Sequence, residues 1–399
     1  MRIVTFYTAG DKLSPMMAGM MRAFRLTATI ALLVFFASLC VTPAVRVVTP
    51  SELPGRLSDQ AFWHLVVDLS EAGGYFRSDN LVSNETTFQH VIPELRRRVR
   101  TGGVYLGVGP DQNFTYITAL RPRIAFIVDV RRQNMLLHLM YKAIIEQSDD
   151  RAEFMSMLFS RPKPARLASK ATPEALAAAF SSAPSNEKLF AKNLKTITDR
   201  LVTHHHFRLT GTDLRSVEYV YRAFFSGGPE LRYSFPRGPW FAGFPTYGEL
   251  LAESDGEGGQ HSYLANDENY RILRELERNN LIVPIVGDFG GSKAIRAVGE
   301  YLREHNAAVT TFYTSNVEQY LFQGEAWRRF FGNVAALPLD PSSTFIRAYF
   351  NNMGYRYQMT SGGIRSATLL DPIGPEVAAF NEGRIQSYFD VIERSNGVR

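Results

Sequence analysis

The sequence is nearly without cysteine. The single one, Cys40, lies in the most apolar stretch of the 399 residues. Disulfides within the chain and cysteine-ligated metal sites in the folded body are excluded, and the redox compartment cannot be read. His-Glu-x-x-His, Gly-x-Ser-x-Gly and any internal repeat are also lacking, and no composition bias suggests long disorder. Charge of one sign is scarce: 44 basic against 39 acidic residues leave a formal +5, spread along the chain. The one dense basic run, "RRRVR" at 96–100, follows an apolar helical pattern and has no interleaved aromatics. A solvated helix end accounts for it better than a nucleic-acid surface, so no nucleic-acid partner is expected.

What is present is an ordinary globular composition, 45% hydrophobic and 21% charged. The length suits one large domain with an insertion, or two domains. Residues 27–45, "TATIALLVFFASLCVTPAV", carry no charge and follow Arg22 and Arg25. They have the plan of a signal peptide starting at Met21 and cut after Ala44, or of an uncleaved anchor. The expectation is a protein exported or membrane-anchored through this segment, its body facing away from the cytoplasm, with membrane contact through 27–45 alone. A misassigned start leaves a cytoplasmic chain as the alternative.

Beyond that segment, apolar periodicity predicts alternating strands and helices. A helix with Phe62, Leu65, Val66 and Leu69 inward stops at Gly73-Gly74. A second helix begins near Glu85, capped by Ser83 or Asn84 and kinked at Pro93. Strands at 104–108 and 124–129 flank a short helix at 111–120, and a helix follows at 132–147. The continuous apolar runs fit a parallel sheet buried on both faces. Residues 160–184 are rich in Pro, Ala and Ser, 186–225 are mostly helical, and 226–259 are dense in Gly, Pro and aromatics. The α/β pattern then resumes. Helices are expected at 268–279, 292–304, 317–331 and 375–393, and strands at 281–286 and 308–313. Residues 343–350 and 355–361 alternate like antiparallel strands. The organisation is a signal or anchor at 1–45, a first half-domain at 51–160, a helical and loop insertion at 161–266, and a second half-domain at 267–399.

The chemistry centres on "VYLGVGPDQNFTYI" and the strand that ends at Asp129. Gly107 and Gly109 permit close backbone approach. A dinucleotide fingerprint would have a third glycine where Gln112 stands, and pyrophosphate on the following helix N-terminus. Asp111 puts a carboxylate there and repels it, so a nicotinamide-type dinucleotide is disfavoured. Asp129, at a strand end, is placed to accept both hydroxyls of a ribose. The competing account makes Asp111 a helix cap and Asp129 an ion-pair partner of Arg131. In "VGDFGGSK", Gly287, Gly290 and Gly291 form either a tight strand-to-helix turn or an anion nest, with Asp288 at a strand's carboxyl end. In "FYTSNVEQYLF", Ser315 or Asn316 caps a helix, and Asn316 faces the same crevice. Tyr75, Asn80, Asn84 and Glu85 are further candidates, from a segment upstream of the first strand. The run His204, His205 and His206 invites a metal, but three consecutive helical side chains point about 100° apart and cannot share one ion. Surface or interface histidines are expected there.

Together, "VYLGVGPDQNFTYI…FIVDVRR", "SNETTFQHVIPEL" and "VGDFGG…FYTSNVEQYL" resemble the class I S-adenosylmethionine-dependent methyltransferases, in a little-characterised bacterial branch, over about 104–147 and 281–331. The resemblance implies a Rossmann-like, mostly parallel α/β sheet with helices on both faces. It implies S-adenosylmethionine as cofactor, its methionine part on the loop of Gly107, Gly109, Pro110 and Asp111, and its ribose on Asp129. The segment after the fourth strand, which the resemblance equates with 281–286, would border the adenine and the methyl group with Asp288 and Phe289, and Asn316 nearby. Asp288 is the candidate catalytic base. Three departures stand out: fewer glycines in the loop, no strand between 151 and 184, and a long insertion. The function expected is a methyltransferase-like protein acting on an unknown acceptor. The alternatives are a non-catalytic binding or scaffold protein that keeps the fold, and an NAD-dependent enzyme.

Overall fold

A computed structural model describes residues 52–165, 170–233, 244–350 and 366–395. The apolar segment 27–45, the cut site, Cys40 and the strand expected at 355–361 lie outside the described residues. Among the described residues no helix is long and apolar enough to cross a membrane.

The described residues open with α1 (Asp59–Asp68), capped by Ser58, whose hydroxyl accepts from the Ala61 amide at 3.1 Å. The next helix, α2, covers only Ile92–Arg98. The sequence puts its start near Glu85, with a kink at Pro93. Instead Pro93 lies in the first turn, where its missing N–H costs nothing. Residues 85–91 form turns, with Thr87 at a positive φ of 60°. The basic run ends this helix as expected: Arg97 and Arg98 pair with Glu94 one turn back.

The alternating core follows closely. Its first half comprises β1 (Val104–Gly107), α3 (Gln112–Leu120), β2 (Ile124–Asp129) and α4 (Arg132–Gln147). Every residue of β1 and β2 is buried, as the unbroken apolar runs require of strands covered on both faces. The insertion then runs α5 (Arg151–Phe159), α6 (Pro173–Ser182), α7 (Glu187–Asp199), a π-helical turn (Arg200–His204), α8 (Gly211–Gly227) and α9 (Tyr247–Ala252). It leads into α10 (Asp267–Arg278). Its aromatics join the main core: Tyr141 of α4 meets Phe224 of α8 at 5.8 Å between ring centroids, and Phe114 of α3 meets Tyr263 at 5.4 Å.

The remaining elements are β3 (Ile282–Val286), α11 (Ala294–Glu304), β4 (Val309–Ser315), α12 (Val317–Leu321), α13 (Ala326–Ala335), β5 (Leu339–Phe350), β6 (Ser366–Pro372), α14 (Ile373–Asn381) and α15 (Tyr388–Arg394). Two long helices expected from periodicity are each broken in two, at 322–325 and at 382–387. Gly383, at φ 72°, makes the second break possible.

The fold is mixed α/β, with one six-stranded, mostly parallel sheet in the order β3-β2-β1-β4-β5-β6. Only β6 runs antiparallel, against β5. β5 itself pairs parallel with β4 on one side and antiparallel with β6 on the other. The order also corrects the numbering of the strands. Residues 282–286, which the resemblance equates with the fourth strand, form the third, paired with β2. The strand missing from 151–184 is therefore not missing. The whole insertion lies between α4 and β3, a parallel crossover lengthened by helices.

Candidate functional site

The strand order reverses at β1. The chain builds β2 and β3 on one side of it and then crosses to β4 on the other. Open α/β sheets hold ligands outside the carboxyl ends of the strands at such a switch point. A cavity of about 240 Å³ lies there, lined by the residues that follow β1, β2, β3 and β4 and by the segment 76–85. That size is just under the common range for small-molecule sites, roughly 300–1,000 Å³.

The loop after β1 is rigidly held. Asn113 of α3 donates through Nδ2 to the carbonyls of Val108 at 2.9 Å and Pro110 at 2.7 Å. Its Oδ1 accepts from the Tyr105 hydroxyl at 2.8 Å. A Cβ on Gly107 would stand 1.9 Å from that Oδ1, so glycine is required there for packing against Asn113. Gly109 has φ 79°, a left-handed value that favours glycine. Its carbonyl lies 2.8 Å from Nε2 of buried His138. Burial pulls His138 down to about 4, so the ring is neutral near pH 7 and Nε2–H is the donor.

Asp129 faces the cavity from the end of β2 in a bidentate ion pair. Arg131 Nε meets Oδ1 at 3.0 Å and a terminal nitrogen meets Oδ2 at 2.7 Å, while the Arg131 amide adds a bond to Oδ1 at 2.9 Å. The same guanidinium donates to the backbone carbonyls of Ser78 and Asp79, pinning the covering segment to β2. A carboxylate has about four lone-pair positions. Three are taken, so Asp129 retains one acceptor position, on Oδ2, and cannot hold both hydroxyls of a ribose while this pair stands.

Glu85 lines the opposite wall and is 1% exposed. Tyr313 donates to its Oε1 at 2.8 Å, Gln112 to its Oε2 at 2.8 Å, and the Ser315 hydroxyl also bonds Oε1. Among the described residues no cation pairs with it. Burial raises its pKa, and the three donors only partly offset that. The chain matches, over residues 80–368, the family described as a domain of unknown function, DUF7790. It belongs to that family. No curated protein matches it. The matched span of this DUF7790 member carries Glu85 and all four strand-end loops.

Of the residues chosen from the sequence, Gly109, Pro110, Asp129, Asp288, Phe289 and Asn316 line the one cavity, with Asn80, Asn84 and Glu85. Gly107 and Asp111 do not. Gly107 serves the Asn113 contact, and Asp111 turns away into the insertion, where the Tyr263 hydroxyl donates to its Oδ2 at 2.8 Å. Burial raises Asp111 to about 7. It is thus a packing anchor and does not line the cavity. Tyr75 is 85% exposed and also stays outside. Asn316 sits at the start of α12 and lines the cavity; it makes no capping bond, and its amide accepts from the Ser315 hydroxyl and donates to Gln319, each at 3.4 Å.

The glycine turn after β3 is a nest already filled by the chain. Glu71 accepts the Asp288 amide at 2.9 Å and the Lys293 amide at 3.3 Å. A Cβ on Gly291 would fall 2.2 Å from the Glu71 carboxylate. Asp288 spends Oδ1 on the Gly290 amide at 2.9 Å. Sequence reasoning missed Glu71, Tyr313 and Tyr320. Glu71 lies far from the turn in sequence, and the tyrosines read as ordinary core.

Proposed function

We propose that this protein binds S-adenosylmethionine in the strand-end cavity of a Rossmann-like sheet and is methyltransferase-like. One observation carries the reading. Three carboxyl groups, Glu85, Asp129 and Asp288, line a cavity where, among the described residues, the only arginine or lysine is Arg131, already committed to Asp129. Such a wall repels diphosphate and suits a ligand that is cationic and free of phosphate. The strand order, with five parallel strands and an antiparallel edge, supports the same reading.

In this reading the Gly109–Pro110 loop receives the methionine part, Asp129 takes one ribose hydroxyl through its remaining acceptor position, and Phe289 and Asn316 border the rest. The cofactor, when bound, supplies an electrophilic methyl group. The chain's share is to align an acceptor with it and to take up a proton if the acceptor must lose one. Glu85 joins Asp288 as a group that does so. Glu85 is the better placed, because Asp288 also holds the Gly290 turn.

Titration calorimetry with S-adenosylmethionine, NAD and ATP tests this. We expect saturable binding of the first alone. Glu85→Gln, which keeps the side chain's shape and an acceptor for Tyr313 while Gln112 can turn its unpartnered amide oxygen to the new NH2, should weaken it about tenfold, the worth of a charge-assisted contact. Heat from NAD with none from S-adenosylmethionine would select the dinucleotide alternative. A second reading, binding without methyl transfer, is favoured by the occupied state of Asp129 and accords with an exported or anchored chain. A mature N-terminus near Val45, found by sequencing protein from outside the cytoplasm, would support it.

A further inference from the structure

At the opposite, amino edge of the sheet a second hollow of about 390 Å³ opens beside the end of α10. Asp59, His204 and His205 meet there, each with one ligating atom, and the three atoms lie within 4.8 Å of one another. The π-helical turn makes this possible. It widens the backbone so that His204, which closes it, and His205, which follows, bring their rings to 4.9 Å between centroids. His206 takes φ 58° and leaves the cluster.

His205 is the informative residue. Its ring is buried, and Nε2 lies 2.7 Å from Glu146 Oε2. Its Nδ1 faces Asp59 Oδ1 at 3.0 Å, about the separation of two neighbouring ligands of one ion. A carboxylate behind one imidazole nitrogen, with the other turned toward a second ligand, is the arrangement that orients metal-bound histidines. Asp59 is itself positioned: Asn280 donates to its Oδ1 at 2.9 Å, which leaves Oδ2 available.

We propose that Asp59, His204 and His205 form a binding site for a divalent transition-metal ion of the zinc class, which ties α1 and the insertion together under the sheet. Two imidazoles and one carboxylate are borderline donors that suit Zn²⁺ and disfavour Mg²⁺ or Ca²⁺. The hollow leaves the fourth position to water. Arg56, Arg200 and Arg278 share the hollow and oppose a cation. Arg200 is paired with Glu146 at 2.7 Å, which lowers its effect, and the affinity expected is modest, near micromolar. The site is independent of the strand-end cavity and of any ligand there.

The test uses the whole chain, stripped with a chelator and then titrated with ZnCl₂ alone. Expected are one saturable site by calorimetry and a rise in Tm that MgCl₂ does not reproduce. Because His204 is exposed, His204→Ala leaves the fold intact; it should cost at least tenfold in affinity and remove the Tm rise, as should Asp59→Asn. Zinc binding that survives both substitutions, or no saturable zinc binding to the unaltered chain, overturns the proposal.

Discussion

Asp111 carries a charge problem that the fold solves by protonation. Its carboxyl is enclosed at the start of α3, with the Tyr263 hydroxyl as its one side-chain partner, and burial lifts it to about 7. In the unfolded chain an aspartate titrates near ~3.9. Between those values the folded chain holds a proton that the unfolded chain has lost. This group's contribution to stability is therefore complete below about pH 4 and is lost as pH rises through 7. Asp111→Asn accepts the same tyrosine bond and does not ionise. Melting temperatures followed from pH 5 to pH 8 should fall less for the variant, and the two curves should separate most above pH 7. Parallel curves would show that Asp111 is ionised throughout. Glu85, raised by the same cause, gives the cavity its own pH response: a cationic ligand should bind more tightly as pH rises through the point where Glu85 ionises.

At the scale of elements, the short helix α12 supplies part of the cavity wall through Val317, Tyr320 and Leu321, yet five residues cannot sustain a helix alone. A buried guanidinium holds it. Arg347 of β5 meets Glu318 of α12 at 2.7 Å and Asp371 of β6 at 2.8 Å, with all three side chains enclosed. Cutting one member out of such a group leaves uncompensated buried charge, at a cost of about 3–5 kcal/mol. Arg347→Met should lower stability by that amount in denaturant titration. It should also loosen α12, seen as faster amide exchange over 317–321 than over β1. Exchange unchanged at α12 would refute the tether. The loop after β1 has a comparable anchor in Asn113, whose amide satisfies several of that loop's carbonyls. That accounts for a glycine at 107 better than cofactor contact does.

At the scale of the molecule, the insertion is not an appended domain. Tyr263, Phe224 and Phe154 share one apolar cluster with α3, α4 and the sheet. Arg132 at the start of α4 grips Asp213 of α8 at 2.7 Å. Thermal unfolding should therefore lose sheet and insertion together, with circular dichroism and tryptophan fluorescence giving the same midpoint. Two separated midpoints would mean that the insertion folds by itself.

The core strands and the helices around them were legible because their signals are local. Unbroken apolar runs mark β1, β2 and β3, and 3.6-residue periodicity marks α4 at both of its ends. The site was half legible, since Gly109, Asp129, Asp288 and Asn316 follow strands and must emerge at one sheet edge. What the sequence by itself determined was an alternating α/β chain with acids and glycines at its strand ends. Only the tertiary structure decided which strand is third, that Arg131 already occupies Asp129, that Glu71 fills the glycine nest, that Asp111 belongs to the insertion, that Glu85 lines the cavity and that two histidines meet Asp59. Burial and periodicity are properties of neighbours along the chain. A carboxylate's partner is whatever the fold brings within three ångströms, and that distance has no counterpart in sequence spacing.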